Sequence, residues 1–419
     1  MQLLVDNRAA INDISELGHD LSVVGESMGE LDLEVKSCDG RPVRARVVLR
    51  YEDLARGANE EIEEKAAASG AVCFELPDLA RPIFLLVLPT QPGFWGLYTE
   101  EIDDFAELTL QDLPDLDRPA WWLQCMGINS SDLSRGANIR IGIVDAGFTM
   151  CEELKHIELL WPLDDGHGGQ TSSIGWNHGE SVCRIIADRA ANAATHLSVA
   201  PGAQLIFADA SSETGNIDPN RAAAAVVRLA MENVDIINLS WGEPDPDEAV
   251  LDAIAVAGGL GVTIVAAAGN DSKDETYFPA RLDECIGVSA LGYDKWGPPE
   301  TVVHQYRMKK KKIGSASGLG TVYAWADGTY GEGIDAIAPG VGILVQCSEG
   351  NLFDLSGTSF ASPMVAGVLA VALATDAHYR VLPRAIARTQ YVRQAFRSVC
   401  RSLGLGRRYE GFGLPNLGL

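Results

Sequence analysis

Four short segments carry side chains able to do covalent chemistry. IGIVDAG sets Asp145 at the end of an apolar run, and NHGESVCRIIAD sets His178 at the head of a segment with helical spacing. VAAAGND delivers Asn270 just past another apolar run. SGTSFASPMVAG brings Ser359 to the start of a stretch that is apolar nearly all round. A serine hydroxyl is a poor nucleophile until a base takes its proton. An imidazole titrating near neutrality is a suitable base. A carboxylate can hold that imidazole in one tautomer and stabilise its charged form. The oxyanion formed when the alcohol attacks a carbonyl needs donors, and the Ser359 N–H and the Asn270 amide are of the right kind. The chemistry these groups suit together is acyl transfer.

Singly, each group has a plainer role. Asp-x-Gly is usually a turn, serine after Gly-Thr is usually a helix cap, and a lone histidine is more often packed than reactive. Their joint occurrence, each at the end of an element, favours the chemical role. His167 in DDGHGGQ competes with His178, but no apolar helix follows it at once. The glycines of 258–261 follow a helical pattern and precede a strand, the reverse of a phosphate-binding loop.

The elements that must position these groups alternate. Apolar runs at 138–144, 203–207, 235–239 and 262–267 read as strands; 178–188, 221–232 and 247–257 read as helices. Near-continuous apolar strands alternating with helices predict an α/β fold, a parallel sheet covered on both faces. Such sheets hold their sites at the carboxyl ends of the strands. Residues 1–112 differ in pattern. Strands are expected at 31–37, 43–51, 71–76 and 82–88, and an acidic surface helix at 54–68, which together suggest a smaller α+β domain. The acidic, proline-bearing stretch 113–119 reads as a linker, and 120–419 as the main domain.

Thirty-three basic against fifty-eight acidic residues give a formal charge of −25. That argues against a nucleic-acid partner and against anionic membranes, and favours neutral or basic ones. Residues 1–20 lack the basic and long apolar regions of a secretory signal. No run reaches the length of a membrane span, the best being 365–374. Eight scattered cysteines without a CxxC pair read as free thiols. A cytoplasmic location is therefore expected.

The blocks IGIVDAG, HGESV, SVAPGAQL, IINLSWG, VAAAGND, IAPG and GTSFASPMVAG, with EGFGLPN near the end, resemble those of the subtilisin family of serine proteases over about 120–419. The order Asp, His, Ser along the chain is also that family's order. The histidine block keeps His178, Gly179 and Val182, but carries Glu180, Ser181, Cys183 and Arg184 where the family commonly has other residues. The resemblance implies a subtilisin-like sheet and a serine endopeptidase, with Asp145 orienting, His178 as base and then acid, Ser359 as nucleophile and Asn270 binding the oxyanion. It further implies that Ser240, Trp241 and Gly242 form the strand edge that pairs with substrate backbone. Ala267, Ala268 and Gly269 would be the opposite wall of the specificity pocket, with Tyr277 near its base. A shallow pocket for small side chains follows; the rival is that Asp271, Asp274 and Glu275 select Lys or Arg.

Structural calcium is common in the family. Here 187–198 offers only Asp188, Asn192 and main-chain oxygens, so no metal or other cofactor is expected. The expected partner is a peptide or protein substrate. Residues 1–112 could be a propeptide, a docking domain for a dedicated partner, or a regulatory domain. Residues 296–325 read as a surface insertion. A non-catalytic relative that binds peptides in the same cleft is the alternative function.

Overall fold

The computed structural model of the chain describes residues 29–115, 119–160, 177–190, 197–309, 312–346 and 352–418. Period-two alternation builds the first strands. β1 (Glu30–Ser37) turns Leu31, Leu33 and Val35 inward and its polar residues outward. β2 (Ala45–Asp53), β3 (Ala58–Lys65), β4 (Ala71–Glu75), β5 (Ala80–Pro89), β6 (Leu97–Thr99) and β7 (Ala106–Leu110) complete two sheets, ordered β4-β1-β7 and β3-β2-β5-β6. They enclose a core that includes Leu31, Leu49, Phe74, Leu85 and Leu110.

Every regular element described in 29–115 is a strand. The helix expected over 54–68 is therefore corrected to β3. Its glutamates look like the solvent face of a helix. Their partners instead lie across the ladder: Arg46 bonds Glu63 at 2.7 Å, Arg50 approaches Glu61 at 3.6 Å, and Ile62 stands opposite Leu49. The four expected strands of this unit all form, with ends shifted by at most two residues.

The second region carries β8 (Arg140–Asp145), β9 (Glu158–Leu159), β10 (Gln204–Asp209), β11 (Ile236–Leu239), β12 (Thr263–Ala267), β13 (Cys285–Tyr293), β14 (Lys312–Ala316), β15 (Gly320–Ala324) and β16 (Ala336–Pro339). They form one sheet ordered β14-β15-β13-β12-β11-β8-β10-β9, with β16 also paired to β13. The pairings among β8 to β13, and of β16 with β13, are parallel. Alternate residues divide between the faces. Ile141, Ile143, Leu205, Phe207 and Val265 join the core containing the helices His178–Ala187 and Thr358–Thr375. Val144, Ile206, Ile237, Ile264 and Ala266 pack under the helices Pro219–Met231 and Glu248–Gly259. The expected α/β architecture is present.

Residues 296–325 correct a second expectation. They hold the helix Val302–Met308 and the β14–β15 hairpin, which extends the sheet antiparallel to β13. Val302, Val303, Tyr306, Val322, Tyr323 and Trp325 are buried while Met308 and Ile313 are exposed, so the segment contributes part of the core and is not wholly on the surface. A second hairpin, β17 (Ile343–Gln346) with β18 (Leu352–Leu355), leads directly into the helix that bears Ser359. That helix, Thr358–Thr375, is the one described helix long and apolar enough to cross a membrane, and 83% of its apolar window is buried inside this fold.

Candidate active site

β8 ends at Asp145, whose carboxylate is fully buried. The helix beginning at His178 is stitched to the residues that follow it. The Gly179 N–H donates to the Ala146 carbonyl at 3.0 Å and the Glu180 N–H to that of Gly147 at 3.2 Å. Two amides left over at a helix start thus find partners on the Asp145 turn. This seam sets His178 beside Asp145, and its Nδ1 lies 2.6 Å from the Asp145 Oδ1. The same oxygen accepts from the Ala146 N–H at 2.7 Å. With Nδ1–H bound to a carboxylate, Nε2 is the basic nitrogen. It is buried and has no hydrogen-bond partner among the described residues.

Ser359 is the second residue of its helix and is fully buried. Its neighbour Phe360 packs against His178, with ring centroids 5.6 Å apart. The end of β12 is tied to the same helix start. The Thr358 N–H and hydroxyl donate to the Asn270 Oδ1 at 3.0 and 2.7 Å, and the Gly269 N–H donates to the Thr358 hydroxyl at 3.1 Å. Anchoring Oδ1 in this way fixes which end of the Asn270 amide is the donor. The structure therefore brings Asp145, His178, Asn270 and Ser359 to two helix starts and two strand ends, linked by the Asp145–His178, His178–Phe360 and Asn270–Thr358 contacts. His167 lies outside the described residues.

The expected substrate edge is held from behind. The Ser240 hydroxyl accepts from Asn238 at 2.8 Å and lies 3.0 Å from the Ser362 hydroxyl; the Trp241 indole donates to the Val144 carbonyl at 2.7 Å. Ala267 and Ala268 are fully buried. Tyr277 stands between the two walls. A Cβ on Gly242 would meet its Cβ at 3.2 Å, and one on Gly269 would meet its ring at 3.1 Å. The Tyr277 hydroxyl donates to Asp271 at 2.5 Å, and burial together with that bond raises its pKa. The acidic residues of this loop each meet a cation of the chain: Asp271 with Lys273 at 2.6 Å, Asp274 with Arg408, and Glu275 with Arg281.

Three residues of the site escape sequence reasoning. Thr358 orients Asn270, Phe360 backs the imidazole, and Thr329 donates to the Ala268 carbonyl at 2.5 Å beneath the pocket wall. Thr358 and Phe360 flank Ser359, and that adjacency was the available signal. Asp188, weighed as a calcium ligand, bonds Arg184 at 2.9 Å; Asn192 lies outside the described residues. The chemistry within reach is transfer of a proton from an alcohol to Nε2, with an amide donor at hand for the oxyanion.

Comparison with known proteins agrees with this geometry. A model of the subtilase family matches residues 136–407. Subtilisin DY from Bacillus licheniformis is 26% identical over 287 residues, 68% of this chain and 90% of that protein. The thermophilic serine proteinase of Bacillus sp. (strain AK1) is 31% identical over 195 residues, 46% of this chain and 42% of the relative. Among solved structures, the self-cleaved protease domain of PatA aligns at TM-score 0.51 and 25% identity, covering 67% of this chain and 95% of that one. The prenylagaramide maturation protease PagA aligns at TM-score 0.51 and 20% identity, covering 69% and 96%.

Proposed function

The chain belongs to the subtilase family, and on that premise we propose that it cleaves peptide bonds with Ser359 as nucleophile, His178 as base and then acid, Asp145 as orienting carboxylate and Asn270 as oxyanion donor. It is a subtilisin-like serine endopeptidase, a hydrolase. The observation that carries the residue assignment is the 2.6 Å Asp145–His178 bond beside the helix that bears Ser359. In the reaction, the Ser359 oxygen attacks the peptide carbonyl while Nε2 takes its proton. The imidazolium then protonates the leaving amine, and water attacks the acyl-enzyme by the reverse sequence. Substrate backbone would add to the edge at Ser240–Gly242, which explains binding with little sequence demand.

The pocket reading favours small side chains before the cut. Tyr277 fills the space between Gly242 and Gly269, which supports a shallow floor. Selection of Lys or Arg is disfavoured, because Asp271, Asp274 and Glu275 are already engaged by Lys273, Arg408 and Arg281. A cytoplasmic setting and a restricted role, processing one peptide or partner protein, complete the proposal. Support comes from the seven described cysteines, all free thiols, and from the hazard an unrestrained protease would pose there.

A serine-directed fluorophosphonate tests the core of this reading. It should label the wild-type chain and leave Ser359→Ala blank. An unlabelled wild-type chain would instead mean a peptide binder without hydrolysis. Peptides varied only at the residue before the cut test the pocket: Ala, Gly and Ser should turn over fastest, and rapid turnover of bulky aromatics would reject the shallow floor.

A further inference from the structure

The N-terminal sheets are joined to the turn that carries the nucleophile. β6 is an edge strand, and its outer edge is paired by residues 299–302. Leu97 bridges Thr301, the Tyr98 N–H donates to the Glu300 carbonyl at 2.8 Å, and the Val302 N–H donates to that of Gly96 at 2.9 Å. The Gln111 side chain adds a bond to the Pro299 carbonyl at 3.0 Å. A separate bond, Gly93 N–H to the Leu352 carbonyl at 2.7 Å, holds the start of β18. Val48, Phe84, Leu86, Trp95 and Tyr98 share one continuous core with Phe360 and Met364 of the serine helix. These contacts reach 299–302 and 352, not the cleft.

A side-chain relay continues inward. Trp95 is buried and meets Trp296 edge-on at 5.6 Å; Trp122 meets Trp296 from another direction at 6.3 Å. The Trp296 indole donates to the Gly342 carbonyl at 2.6 Å. It lies so close that a Cβ on Gly342, whose φ is +63°, would stand 2.9 Å from the ring. The Gly342 N–H in turn donates to the Ser356 hydroxyl at 2.9 Å, and the Gly357 N–H to the Gly340 carbonyl at 2.8 Å. Ser356 and Gly357 lead straight into Thr358 and Ser359. Gly340, Gly342 and Gly357 make this turn conformationally permissive, whereas a nucleophile must be held to about 0.5 Å. The stiffness has to come from outside the turn.

We propose that residues 29–115 are a permanent brace for the nucleophile turn, with Trp296 as the positioning residue that transmits it. The proposal rests on Ser359 being the nucleophile. It separates this unit from a removable inhibitor: a cut in 113–119, by the chain itself or by another protease, leaves the brace in place. The contacts given above lie at 299–302 and 352, so none of them has to break for substrate to reach Ser240–Gly242.

The experiment uses the full chain with a site-specific protease sequence replacing 116–118. After cutting, both pieces should co-elute on size exclusion under native conditions, and peptide hydrolysis should persist. Departure of the N-terminal piece with hydrolysis unchanged or raised overturns the brace. In a second arm, Trp296→Phe keeps an aromatic ring but loses the N–H to Gly342. Rates are normalised to sites titrated by fluorophosphonate, which removes any misfolded fraction. kcat per titrated site should fall about tenfold, with KM within twofold. An unchanged kcat per titrated site removes Trp296 from this role. If Ser359 is not the nucleophile, wild type fails to label while the co-elution result still stands, so the two failures are distinct.

Discussion

Asn270 is oriented by Thr358. Two bonds to its Oδ1 come from Thr358, so the amide cannot turn over without losing them. Asn270→Ala should lower kcat by about 10²–10³-fold with KM little changed, a range that is itself drawn from the corresponding donor of subtilisin. A change confined to KM would deny the residue its oxyanion role. At this scale the sequence singled out Asp145 and His178, which the structure places in contact at 2.6 Å, because acyl transfer restricts which residue types can serve. It pointed to Thr358 only through its place beside Ser359, and not at all to Thr329. Their bonds span 88 and 61 residues, and nothing local in either segment announces a partner so distant.

The histidine helix carries an ion ladder on its buried side. Arg184 bonds Glu180 and Asp188, one turn before and after it, each at 2.9 Å, and all three residues are buried. Burial pushes the Asp188 carboxyl upward against the pull of the Arg184 guanidinium. Arg184→Met would leave two carboxylates without their cation and should cost about 3–5 kcal/mol. A denaturant melt checks this, and a loss below about 1 kcal/mol would mean water already reaches the ladder. The i, i+4 spacing was visible in the sequence, but its burial was not. β3 shows the opposite failure. Glutamates at 60, 61, 63 and 64 look like one face of a helix, and only the arginines of the adjacent strand reveal a ladder. The parallel sheet itself was readable, since its strands are apolar on both faces and need no such knowledge of neighbours.

Across the whole molecule, the least legible part was the joint between the N-terminal sheets and 296–325. Residues 300–302 pair the edge of β6 that β5 leaves open, and the helix Val302–Met308 starts directly from that pairing. Beside this joint, on β18, sits Asp354, whose half-buried carboxyl is pushed up to about 7 by burial. The folded chain keeps that proton to about pH 7, while an unfolded chain releases it near 3.8. The associated stability is therefore complete below 3.8 and is lost as pH rises through 7. Asp354→Asn should flatten the decline of Tm between pH 5 and 8 (about one ionisation's worth). An unchanged slope would place the titration elsewhere.

The indoles of Trp95 and Trp122, from two other stretches of chain, lie 5.6 and 6.3 Å from that of Trp296. So close a set should couple optically, giving a near-ultraviolet dichroism that no single indole produces, and the burial of Trp95 and Trp122 keeps their emission blue. Prying the first hundred residues away would redden that emission and flatten the dichroism. The seam thus supplies an intrinsic optical gauge, readable with no peptide present.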